Sequence, residues 1–132
     1  MLGSLSAQAQ SPPPTFTEEN AVAILDRISQ ALESNDQDGF LKNFDREAMP
    51  NYNAFRDQIS NFFSAYQEFL THYHLRQVST EGNRAVLLTD FELQMRPPQG
   101  QPFRKQAQLR FVLAWNGKEW KIVDLSPRTF FS

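Results

Sequence analysis

Gln108-Leu-Arg-Phe-Val-Leu-Ala-Trp-Asn-Gly-Lys-Glu-Trp-Lys-Ile-Val-Asp-Leu-Ser126 is the stretch whose reading decides the fold. Two alternating runs flank Asn116-Gly117, and a two-residue Asn-Gly loop accepts the positive φ angles of a type I′ turn, so the segment reads as a β-hairpin. That loop length predicts a register in which Leu113 faces Trp120, Phe111 faces Ile122 and Leu109 faces Asp124. These residues form one core-facing row, with Arg110, Val112, Lys121 and Val123 on the reverse. Asp124 is therefore expected to point inward and Arg110 outward.

Working upstream, residues 73–80, 84–96 and 103–115 also alternate, and residues 119–125 close the series as a fourth strand. The joints fall at Glu81-Gly82-Asn83, at residues 97–102 with their prolines, and at Asn116-Gly117, as expected of antiparallel neighbours. Ala85, Leu87, Phe91, Leu93 and Met95 share one face of the second strand. Phe103, Ala107, Leu109, Phe111, Leu113 and Trp115 share one face of the third.

Before His72 the period is helical. Thr15 and Glu18 have capping-box spacing, and Ala21, Ile24, Leu25, Ile28, Ala31 and Leu32 recur as one apolar stripe, which predicts a helix to about Ser34. Asn35-Asp36 can cap a short second helix that carries Phe40, Leu41 and Phe44 inward, with Pro50 interrupting the chain beyond Asp45. From Asn53, the residues Phe55, Ile59, Phe62, Phe63, Tyr66, Phe69 and Leu70 form a wide stripe on a third helix. Helices first and a meander second make an α+β arrangement.

Composition narrows the function classes. A chain of 132 residues with 12 Phe can bury one substantial core. The net charge is −2 with Lys and Arg scattered, which lacks the basic footprint of a nucleic-acid partner. No apolar run reaches the length of a membrane span. The absence of Cys removes thiolate chemistry and disulfides, and His72 and His74 alone cannot assemble a metal site. No cofactor motif is present. Residues 1–14 read as a disordered tail, and Ala7-Gln8-Ala9 has the small-x-small form of an export-signal cleavage site, so the expected location is periplasmic or extracellular, with cytoplasmic as the alternative.

The order of elements, with Phe40-Leu-Lys-Asn-Phe-Asp45, Phe62-Phe63 and the closing Trp120-Lys-Ile-Val-Asp-Leu-Ser126, resembles the nuclear transport factor 2-like superfamily over residues 15–132. The resemblance implies a cystatin-like cone: N-terminal helices packed in a curved antiparallel sheet, often around a pocket and often dimeric. The superfamily holds ketosteroid isomerases, polyketide cyclases, dehydratases and non-enzymatic modules, so the fold does not choose a chemistry. Strand parity and the helical stripe nominate Tyr66, Thr89, Phe91, Lys105, Phe111, Trp120 and Asp124 as pocket-lining residues. Asp124, with Tyr66 as hydrogen-bond donor, is the candidate catalytic pair, because a carboxylate desolvated beside aromatic rings has its ionised form disfavoured.

The leading expectation is a non-catalytic domain that binds a small apolar ligand or another protein. The alternatives are a small isomerase, dehydratase or hydrolase using the interior carboxylate, and a structural dimerisation module. Val86, Leu88, Val112, Ala114, Val123 and Leu125 are expected to point away from the helices, and a homodimer through that outer sheet face would cover them.

Overall fold

The computed structural model describes residues 13–132; the tail reading of residues 1–12 and the export motif lie outside them. Helix α1 spans Glu18–Glu33, α2 Gln37–Leu41 and α3 Tyr52–Ala65. Four strands follow, β1 Gln67–Glu81, β2 Arg84–Arg96, β3 Phe103–Trp115 and β4 Trp120–Ser126, and a 3-10 helix closes the series at Arg128–Phe131. The strands form one antiparallel sheet in the order β1-β2-β3-β4, with the helices on its inner face. This is the expected α+β arrangement.

The capping box of α1 is Thr17 with Asn20, not Thr15 with Glu18. Thr17 Oγ1 accepts from the Asn20 N–H at 3.1 Å, and the Thr17 N–H donates to Asn20 Oδ1 at 2.8 Å. Starting there leaves Phe16 ahead of the cap, where its ring meets Trp120 edge-on at 5.1 Å and is buried. The apolar stripe of α1 is buried as expected, and its polar edge is tied to β1. Tyr73 donates its hydroxyl proton to Asp26 at 2.7 Å, and Glu33 accepts from the Thr71 N–H and hydroxyl at 2.8 and 2.7 Å.

Asp36 caps α2 through the Gly39 N–H at 2.9 Å, as expected. The chain after α2 bridges in parallel to β4 at Phe44 and Ile122: the Asp45 N–H donates to the Ile122 carbonyl and the Ile122 N–H to the Asn43 carbonyl, each at 2.8 Å. This covers the free edge of β4, which would otherwise template further pairing.

Helix α3 ends at Ala65 and does not continue to Leu70. Tyr66 is already extended, Gln67 pairs with Arg96, and Glu68 takes a φ of 57° at a bulge, where its carboxylate meets Arg96. Sheet pairing outweighs helical periodicity here because Phe69 is buried in the strand as well, at 3% exposure, while Leu70 turns out to solvent.

The hairpin register differs from the expected one in two steps. The loop contains four residues, since Trp115 pairs with Trp120; Asn116 Oδ1 accepts from the Lys118 and Glu119 N–H groups at 2.9 and 2.8 Å. An Asx-type side chain thus closes a longer turn than a bare Asn-Gly loop requires. That change preserves parity, and Leu113 with Ile122 still faces inward. Val123 then forms a bulge: Leu113 pairs with Ile122, but Val112 pairs with Asp124 and Phe111 with Leu125. One extra residue reverses every later side chain. Leu125 is buried against the core and Asp124 lies on the outer face, opposite to the expectation for each, whereas Arg110 faces outward as expected.

Replacing the true cap should be felt and replacing the apparent one should not. Thr17→Ala is expected to cost about 1 kcal/mol and Thr15→Ala less than about 0.5 kcal/mol, read from urea unfolding midpoints at constant m-value.

Candidate functional site

The natural place for a site is the inner face of the sheet. On β2 the inward row Ala85, Leu87, Thr89, Phe91, Leu93 and Met95 is no more than 1% exposed, and Leu109, Phe111 and Leu113 continue it on β3. Helices α2 and α3 bring Phe40, Phe55, Ile59 and Phe62 against these residues.

The segment after β4 enters the same space. Pro127 leads into the 3-10 helix, which turns back over the inner face and buries Phe130 and Phe131. The Phe131 ring centre lies 5.2 Å from Phe40, 6.0 Å from Phe62 and 6.1 Å from Phe91, and Phe130 meets Phe91 at 5.9 Å. These edge-on contacts are the favoured geometry of aromatic clusters.

Polar groups hold the segment by its backbone. Gln58 on α3 donates its amide N–H groups to the Arg128 and Phe131 carbonyls at 2.6 and 3.0 Å. Lys105 on β3 donates to the Phe130 and Ser132 carbonyls at 2.8 and 3.0 Å, with its ammonium 5.5 Å from the centre of the Phe130 ring. Burial holds the Lys105 pKa below the usual lysine range. Arg128 donates to the Pro50 carbonyl at 2.8 Å and to Asp124 Oδ1 at 3.0 Å, and its guanidinium lies over the Phe55 ring.

The nominated residues therefore divide. Phe91 and Phe111 are core, and Thr89 is buried with no hydrogen-bond partner for its hydroxyl. Lys105 points inward as parity requires. Trp120 packs between Phe16 and Trp115 at the hairpin edge. Tyr66 is half-buried between Phe62 and Phe103. Asp124 is on the outer face, where its carboxylate also accepts from the Leu125 N–H at 2.9 Å.

Asp124 and Tyr66 are not brought together. Asp124 sits beside Val112 and Tyr66 beside Phe103, on opposite faces and roughly 30 Å apart along β3 at the usual rise per strand residue. The proposed base and donor share no site. His72 and His74 lie on the outer face opposite Glu92 and Asp90. The Gln106 amide, Arg104 and, more weakly, His72 hold the Glu92 carboxyl below its usual range. Among the described residues no group of three or more His, Asp or Glu side chains is placed to hold a metal ion.

Sequence reasoning missed Gln58, Arg128, Phe130 and Phe131. The signal for the last two was present: adjacent phenylalanines beyond the final strand need burial as much as any in a predicted element.

Phe131→Ala should lose about 3–5 kcal/mol, the usual cost of emptying a buried aromatic position. The apolar cavity left behind should admit benzene, so added benzene should raise the melting temperature of the variant and not of the wild type. The pH dependence of Lys105 has a defined sign. With its folded pKa depressed, its contribution to stability is fully present above the unfolded value near 10.5 and is lost as pH falls through the folded value. Thermal melts of wild type and Lys105→Gln should show the wild type gaining ground as pH rises through the window just below 10.5. Asp124→Asn should cost no more than about 1 kcal/mol in urea unfolding, the scale of a partly exposed ion pair.

No family model and no curated protein matches this sequence. Solved structures do match its backbone. A nuclear transport factor 2-like family protein from Streptomyces avermitilis, proposed as a dehydratase, superposes with a TM-score of 0.70 at 12% identity, covering 82% of this chain and 92% of that one. A superfamily protein from Salmonella enterica gives 0.68 at 14% identity over 82% and 87% of the two chains. The β subunit of benzoate 1,2-dioxygenase from Burkholderia mallei gives 0.64 at 17% identity over 86% and 90%. Likeness at these identities carries architecture and not activity, and what it establishes, together with the inner-face packing above, is that this chain has the nuclear transport factor 2-like fold.

Proposed function

We infer that this domain is a non-catalytic protein-binding module that pairs with a second copy of itself through the outer face of its sheet. The observation that carries the reading is the burial of Phe131 among Phe40, Phe62 and Phe91, since a concave face occupied by its own chain is used for packing and not for ligand capture. Binding then falls to the outside of the fold.

The outer face supports this through a smaller apolar patch than the sequence alone implies. Leu125 has turned inward, and Val112 and Val123 are already less than 9% exposed, forming with Val86 the floor of a groove of about 550 Å³ beside Ala48 and Pro50. Val86, Leu88 and Ala114 remain half-buried. Beyond Leu88 the face is polar: Asp90 pairs with Arg76 at 2.5 Å and Glu92 with Arg104 at 3.1 Å. An apolar end joined to a region carrying both charge signs suits a twofold contact, in which the same surface meets itself. Subunit roles occur on this fold, as in the benzoate 1,2-dioxygenase β subunit.

Sedimentation velocity at micromolar concentration should give the mass of a dimer. Leu88→Glu should return a folded monomer, because it places a charge in the centre of the contact. A wild-type chain that stays monomeric when concentrated tenfold would overturn the reading.

A further inference from the structure

A second concavity lies away from the outer sheet face, between α1, α2 and the β3–β4 turn. It is a groove of about 670 Å³ lined by Arg27, Gln30, Asp36, Lys42, Glu119, Trp120 and Lys121, among others. A neighbouring groove of about 510 Å³ shares Arg27, Glu119 and Trp120 with it, so these three residues stand where the two meet.

Arg27 is set in place by a buried side chain. Asn43 is 8% exposed and spends its amide N–H groups on the Gly39 and Phe40 carbonyls at 3.1 and 3.2 Å; its oxygen accepts from Arg27 Nε at 3.2 Å. The guanidinium is thus held by one edge, and its terminal N–H groups make no other hydrogen bond among the described residues. The Lys42 ammonium has no partner there, and Lys121 makes one hydrogen bond, to the Lys42 carbonyl at 2.9 Å.

Cationic side chains outnumber carboxylates in this groove, three to two. Of the two carboxylates, Asp36 is engaged in capping α2 and Glu119 lies 3.8 Å from Lys121. The Trp120 indole N–H is buried and unpartnered. A chain of net charge −2 therefore gathers three cations around an aromatic wall in one place.

We propose that this groove binds a small organic anion, its carboxylate or phosphate on Arg27 and Lys42 and its apolar part against Trp120. Arg and Lys donors meet both anions with charge-assisted hydrogen bonds, and fixing Arg27 by Asn43 lowers the ordering cost of binding. The groove shares no residue with the outer-face patch, so the proposal stands independently of self-association.

The test follows the Trp120 indole N–H resonance and the backbone amides of ¹⁵N-labelled protein during titration with phenylacetate, phenyl phosphate, inorganic phosphate and benzyl alcohol. Saturable shifts centred on Arg27, Lys42 and Trp120 are expected with one or both aromatic anions, and the stronger of the two identifies the anionic group. Inorganic phosphate should bind more weakly, and benzyl alcohol should leave the groove unshifted. Lys42→Gln, whose side chain makes no bond to lose, should weaken binding severalfold, and Arg27→Gln by about tenfold or more with the amide spectrum elsewhere unchanged. The proposal is overturned if no saturable shift appears up to about 50 mM ligand, a range that already spans millimolar affinities. It is equally overturned if benzyl alcohol binds as well as the anions, or if both variants bind as the wild type does.

Discussion

The inward row of β2 must be kept from water along its whole length, and the helices alone are too short to do it. Thirteen residues of strand extend roughly 43 Å, whereas the fourteen residues of α3 reach only about 21 Å. The remaining cover comes in pieces: α1 along β1, α2 across the middle, and the 3-10 helix after β4. Each buried phenylalanine in that last piece contributes about 1.5–3 kcal/mol. This explains why an otherwise polar stretch, Ser126 to Ser132, carries adjacent phenylalanines, and why Gln58 and Lys105 reach for its carbonyls. A 3-10 turn leaves carbonyls without partners inside its own short helix, and side-chain donors from α3 and β3 satisfy them.

The bulge at Val123 decides what kind of site the fold can have. Without it, Asp124 would share the inner face with Ile122 and Phe111, desolvated and near aromatic rings. With it, Asp124 stands outside and meets Arg128, whose guanidinium also holds the Pro50 carbonyl and covers Phe55. The residue that could have served as an interior base instead helps to tether the segment that occupies the interior. One inserted residue changes both the chemistry available inside and the route of the chain over it.

Most of the architecture was legible because it depends on periodicity. The buried stripe of α1, the inward rows of β2 and β3 and the Asp36 cap all derive from spacing that survives tertiary contacts. The failures share a cause, which is a local feature whose residues fit two structures equally well. Tyr66 and Phe69 satisfy a helical stripe and a strand alike, so the end of α3 was set by pairing between Gln67 and Arg96. Thr15 and Thr17 each head a capping-box pattern, and the burial of Phe16 chose between them. A bulge leaves no mark in an alternating run, since Ile122, Val123 and Leu125 are apolar and every register buries something. For the site, strand parity puts Lys105, Thr89, Phe91 and Phe111 on the inner face, where they lie. Tyr66 falls just beyond the helix that its spacing suggests, and Trp120 packs at the hairpin edge. The clamp from Gln58 was not readable, because an exposed-looking glutamine on a helix carries no sign of its distant partners.

The proposed non-catalytic reading is also consistent with the polar groups that the inner face contains. Proton abstraction requires an acceptor with a free lone pair facing a substrate. The buried polar residues among those described are Ser29, Asn43 and Thr89, with no carboxylate among them. Lys105 is the titratable side chain at the clamp, and burial does lower its pKa, a change that in other settings prepares a lysine to act as a base. Here, however, its nitrogen faces two carbonyl oxygens, at 2.8 and 3.0 Å. Both are acceptors, so the group acts as a donor to its own chain. A donor clamp, Phe131 packed into the concave face and Asp124 displaced to the outside are the observations that support the proposed binding module.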